Sequence, residues 1–172
     1  MNNPEISGEE AIPQHTKRFG RELAMQYLFE CDARAEMPGA ASFEEFFDSV
    51  TCEHENRENR LFRRARDYAV LLYQTEALCG EAIDRIISAH CTNWKLNRLS
   101  PVERNVLRTA AAETAAVPDL SLAVIIDEAT RIARDFAGQA AGVFVNGVLN
   151  SMKPDLEKLR RGSAREKEST TC

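Results

Sequence analysis

Cationic side chains cluster at two places in this chain, and their spacing suggests anion binding rather than catalysis. Lys17, Arg18 and Arg21 fall in the first turns of the helix-patterned stretch TKRFGRELAMQYLFECDAR. Positive side chains there oppose the helix macrodipole, a small cost that is easier to understand where they meet an anionic partner; the other reading is a solvated helix start. Arg57, Arg60, Arg63, Arg64 and Arg66 form the densest basic run, either a solvated helix face or a second patch. His90 beside Cys91, and Cys52 near His54, invite a metal reading. Adjacent residues on a helix point in different directions, however, and no second pair is spaced to complete four ligands, so packing is the expectation and no metal is assigned. No nucleophile with its base and no Gly-rich phosphate loop is recognisable, so neither an enzyme nor a cofactor is expected.

The elements that must position these groups are helices. The opening MNNPEISGEEAIPQ has three glutamates, two prolines and no periodic apolar face, which predicts a disordered acidic arm over residues 1–15. Thr16 is a plausible N-cap for a first helix with Gly20, Ala24, Tyr27, Leu28 and Cys31 in step. SFEEFFDSV offers Ser42 and Glu45 as a capping box for a short second helix. A third spans NRENRLFRRARDYAVLLYQTEALC; Gly80 punctuates, and Ile83, Ile86, Ile87 and His90 continue a fourth pattern towards Trp94. LSPVERNVLRTAAAETAAV is the clearest start signal, with Ser100 at the N-cap, Pro101 at the first helical position and Glu103 able to reach back to the cap. Pro118 ends that helix, and Ser121 opens a sixth through Phe136, with Asp127, Arg131 and Asp135 at i,i+4 along one side.

VFVNGVLNSM is ambiguous by itself, because Asn-Gly between apolar runs is a strong hairpin signal. No pair of alternating strands exists for such a hairpin to join, and an isolated hairpin is marginal in water, so a closing helix is expected. Gly147 would then admit a close neighbour, and Asn146 would be a buried hydrogen-bonding residue. The charged segment 153–172 reads as a flexible tail. The sum is an all-α chain of about seven helices in two packed subdomains, about 16–79 and 80–152.

Composition sets the outer bounds. At 172 residues and 44% hydrophobic, the chain can bury a core of one domain or two small subdomains. A net charge of -5 excludes a uniformly basic surface, so any nucleic-acid site must be a local patch. Five cysteines without a CxxC pair suggest reduced thiols. No run approaches the roughly 20 apolar residues that span a bilayer, and a cytoplasmic protein is expected.

The motifs RELAMQYLFE (Arg21 to Glu30), NWKLNRLSPVERNVLR (Asn93 to Arg108), the turn at Val117 and Pro118, VIIDEATRIARDF (Val124 to Phe136) and FVNGVLN (Phe144 to Asn150) occur in an order that resembles the transcription antitermination factor family NusB. The resemblance covers about Lys17 to Met152 and implies an all-α, non-catalytic fold. It further implies binding to the boxA element of nascent ribosomal RNA operon transcripts together with NusE, a ribosomal protein, and read-through by RNA polymerase within the transcription elongation complex. Carried over by position, His15, Lys17, Arg18 and Arg21 would neutralise RNA phosphates, Phe29 would stack on a base, and Glu103 would accept a hydrogen bond from a base amino group. Phe29 as core and Glu103 as cap are the structural alternatives. Phe19 interrupts the family's arginine run and Val143 replaces its lysine before FVNG, which keeps open a second function, a NusB-like protein-interaction scaffold with weak or lost RNA binding.

Overall fold

The computed structural model describes residues 14–52, 60–91 and 96–169. Most of the expected acidic arm, His54, Arg57, Trp94 and the last three residues lie outside these segments. The described residues form six α-helices and one 3-10 turn, with no strand among them: α1 (Gln14–Arg34), α2 (Ala40–Thr51), α3 (Arg60–His90), the turn Leu96–Arg98, α4 (Pro101–Ala116), α5 (Leu122–Ala137) and α6 (Gln139–Ser169).

Local signals set some helix ends and tertiary contacts set others. The box at α4 forms: Ser100 Oγ accepts from the Glu103 amide and Glu103 Oε2 accepts from the Ser100 amide, each at 3.2 Å. Ser121 Oγ likewise accepts from the Val124 amide and opens α5. The box expected at Ser42 and Glu45 does not form, because α2 begins earlier, after Gly39. Ser42 instead shares a 2.6 Å hydrogen bond with the Tyr27 hydroxyl, which also receives the Gly39 amide at 2.8 Å and so ties down the α1–α2 loop. Thr16 is not a cap either; α1 is already under way at Gln14, and the Thr16 side chain is buried.

Buried side chains fall into two clusters. The first is aromatic, with Tyr27 against Phe43 and Tyr73 at 5.1 Å between ring centroids, and joins α1, α2 and the front of α3. The second is aliphatic and joins the rear of α3 to α4, α5 and α6 through Ile87, Leu107, Ile125 and Leu149. Helix α3 serves both clusters, and the expected break at Gly80 is absent. A glycine costs a helix about 1 kcal/mol, a small charge against packing along two cores. The most enclosed helix is α4, buried at every position from Thr109 to Ala115, and its small side chains let α1, α3, α5 and α6 all approach.

The closing segment is helical, with Val145, Leu149 and Met152 fully buried. Its two singled-out residues behave otherwise than expected. Gly147 is exposed, with open space where a Cβ would stand, and Asn146 lies on the surface, where Oδ1 accepts from Asn150 Nδ2 at 3.1 Å. The close approach of α6 to α5 occurs at Gly142, whose Cβ would stand 3.2 Å from the Thr130 carbonyl oxygen. Nor does the helix end at Met152. It passes Pro154 and continues to Ser169, because Leu156 is fully buried and Arg160 Nη2 donates to the Leu120 carbonyl at 2.9 Å.

Candidate nucleic-acid interface

The helical repeat of α1 places His15, Arg18, Glu22 and Phe29 along one stripe. His15 is exposed at its start, and Phe29, 39% exposed, presents its ring towards the other end. Lys17 lies beside this stripe with Nζ 5.7 Å from the Tyr68 ring centroid, a cation–π contact that orients the ammonium without neutralising it. Arg18 is held on both sides, by Glu22 at 2.9 Å and by Asp135 of α5 at 2.6 Å. Partial burial works against its charge, but these two carboxylates outweigh that and hold the guanidinium above its usual pKa.

Arg21 is not part of this surface. Its side chain is 3% exposed and forks onto Glu113 of α4, with Nε at 2.9 Å and 2.8 Å from the two carboxylate oxygens and Nη2 at 2.8 Å. The Tyr68 hydroxyl donates to the same carboxylate, and Glu128 of α5 approaches Nη1 at 3.5 Å. Burial disfavours the Arg21 charge, yet the bond to Glu113 prevails and raises the pKa. The same surroundings, burial first and the Glu113 charge second, push the Tyr68 phenol strongly up, so it stays a neutral donor. Arg21 therefore joins α1, α3, α4 and α5 internally, and a phosphate could reach it only by displacing that network.

Glu103 is engaged in the α4 cap and partly exposed. Asp32, one turn beyond Phe29, fixes its position relative to α1. Its carboxylate accepts from Arg104 Nε at 2.9 Å, Asn105 Nδ2 at 3.0 Å and Arg108 Nη1 at 2.9 Å. Burial would raise the Asp32 pKa, but these three donors bring it below the ordinary carboxylate range. The clamp sets the start of α4 against the end of α1 that carries Phe29. Asp32 was not picked out from the sequence, and Asp135 was set only at i,i+4 from Arg131, which instead pairs with Asp127; the bonds of Asp135 to Arg18 and of Asp32 to Arg108 span more than seventy residues with no local pattern.

The remaining candidates are accounted for by packing and pairing. Arg66 pairs with Glu44 and Asp67, and none of Arg60, Arg63 and Arg64 is without a partner. His90 Nε2 bonds Asp155 of α6 at 2.9 Å. Cys31, Cys52, Cys79 and Cys91 are free thiols, and no group of metal-ligating side chains is assembled among the described residues. No helix among them is long and apolar enough to cross a membrane.

The fold and this surface define an all-helical protein, among its described residues, with a partly neutralised basic stripe and an exposed aromatic ring. A model of the NusB family matches residues 19–154. The transcription antitermination protein NusB of Koribacter versatilis is 33% identical over 150 residues, 87% of this chain and 97% of that protein; the one from Desulfotalea psychrophila is 36% identical over 147 residues, 83% and 98%. Among solved structures, T. maritima NusB superposes with a TM-score of 0.66 at 31% identity, covering 79% of this chain and 89% of that one. A chain in the crystal structure of antitermination factors NusB and NusE in complex with dsRNA gives 0.67 at 28% identity, covering 81% and 97%. The chain belongs to the NusB family, and the relatives named above are transcription antitermination proteins.

Proposed function

We propose that this protein is an RNA-binding antitermination factor that grips the boxA element of nascent ribosomal RNA operon transcripts together with NusE and promotes read-through by the elongating polymerase. The observation that carries the reading is the α1 stripe, where Arg18, with Lys17 beside it, precedes an exposed Phe29 and the Asp32 clamp sets the start of α4, with Glu103, against the same end of α1. Phosphates would bind at the first two, an unpaired base would stack on Phe29, and a base amino group would donate to Glu103. The solved complex of a relative with NusE and dsRNA supports RNA and NusE as the classes of partner. Such a factor would work in the cytoplasm, without a cofactor.

Binding of single-stranded boxA RNA, with and without NusE, across a salt series tests the proposal. Affinity should fall as salt rises, and Lys17→Glu with Arg18→Glu should abolish RNA binding while leaving helicity and NusE binding intact. Asp135→Asn should strengthen RNA binding severalfold, because it releases Arg18 from a competing carboxylate. Absence of specific RNA binding even with NusE present would defeat the proposal. The scaffold reading draws on the same arginines, one paired twice and one buried. Protein partners that survive nuclease treatment, with no RNA retained, would favour it.

A further inference from the structure

The three cations at the start of α1 do not offer the same charge to a ligand. Arg18 is met by Glu22 and Asp135, and Arg21 is sealed against Glu113 and Glu128. Lys17 is half-buried and pairs with no carboxylate among the described residues; its ammonium is held by the ring of Tyr68 on α3, 5.7 Å from Nζ to the centroid. That ring is itself fixed. Tyr68 is 5% exposed, and its hydroxyl donates to the Glu113 carboxylate that Arg21 also grips. The Arg21 guanidinium carbon lies 5.8 Å from the same centroid, so one ring meets two cations four residues apart on α1. Gly20 makes the approach possible: a Cβ there would stand 3.0 Å from Tyr68 Cβ and 3.1 Å from Cδ1, so the missing side chain lets α1 settle against the ring.

We propose that Tyr68 is a positioning residue for RNA: its ring holds the Lys17 ammonium on the basic end of α1, charged and pre-oriented for a backbone phosphate. The role rests on the function proposed above. An unrestrained lysine samples many rotamers and loses that freedom when it grips a phosphate, whereas a ring that already holds the ammonium removes part of the cost. The face of a ring attracts a cation without neutralising it, while a carboxylate in its place would compete with the phosphate. Binding surface and core are thereby joined, because Tyr68, Glu113 and Arg21, which fix the ring, are all buried.

Two measurements on the full chain test the role. In proton NMR without RNA, the Lys17 ε-methylene should lie upfield of an unstacked lysine, shifted by the ring current, and the shift should vanish in Tyr68→Leu. In titrations with single-stranded boxA RNA and NusE, Tyr68→Leu should weaken RNA binding about fivefold, and Tyr68→Phe, which keeps the ring without the hydroxyl, should recover most of that loss. In a Lys17→Ala background Tyr68→Leu should cost nothing further, since the double-mutant cycle isolates the Lys17–Tyr68 pair. Should stranding Glu113 unfold Tyr68→Leu, the Lys17 shift in the unaltered chain still decides. The positioning role is overturned, and the function left standing, by an unshifted Lys17 ε-methylene, by undiminished RNA affinity in Tyr68→Leu, by an equal loss in Tyr68→Phe, or by a loss that persists without Lys17. Failure of the unaltered chain to bind RNA even with NusE overturns both.

Discussion

Arg18 and Arg21 are one turn apart on α1 and chemically identical, yet one faces solvent and the other is sealed between helices. The sequence contained the distinction. Arg21 stands three residues before Ala24 and seven before Leu28, in register with the apolar face, and Glu113 is a lone carboxylate in an alanine-rich run. Charge alone suggested a phosphate contact, whereas periodicity pointed inward. Arg21→Ala would strand Glu113 and Glu128 without their cation, and breaking such a buried pair costs about 3–5 kcal/mol. Urea unfolding of Arg21→Ala should show that loss, and RNA binding should fail only as the fold fails. A variant that kept full stability but lost RNA would return Arg21 to the binding surface.

At the scale of elements, the glycines separate local propensity from packing. Close approach was expected at Gly147, but Gly20 is where two helices meet: a Cβ there would stand 2.8 Å from the Ala65 carbonyl oxygen of α3. Gly147→Ala should therefore stabilise the protein by up to about 1 kcal/mol, the helix propensity difference with no clash to offset it. Gly20→Ala should destabilise it by about 1–3 kcal/mol, since the obstacle is backbone. Thermal melts of the two variants should shift in opposite directions. The same division explains what was legible. Capping at Ser100 and Ser121 is local chemistry and was readable, as was the helical reading of the Asn-Gly segment once no strand partner was found. The continuity of α3 through Gly80 and of α6 past Pro154 depends on distant surfaces such as that receiving Leu156, which no window of sequence contains.

Across the whole molecule, two carboxylates on the α1–α3–α4 network respond to acid in opposite senses. Asp32 is held below its ordinary value of 3.8 by Asn105, Arg104 and Arg108 despite its burial. Its stabilising contribution is complete above that value and is lost as pH falls through its lower folded pKa. Glu76 is raised above its ordinary 4.5 by burial, so its charged form costs stability at neutral pH and protonation relieves the cost as pH falls through its higher folded pKa. Acidification from neutrality towards 4.5 should thus remove a penalty before acid below 3.8 dissolves the Asp32 clamp. Melting temperatures followed from pH 8 to pH 3 test this directly. Glu76→Gln should melt higher than the unaltered chain at neutral pH, and the two curves should converge below about pH 4.5, where the native glutamate is itself neutral. Asp32→Asn should melt lower at neutral pH and converge only further into the acid range. A constant gap between Glu76→Gln and the unaltered chain across the series would show that Glu76 carries no charge penalty beside Arg108.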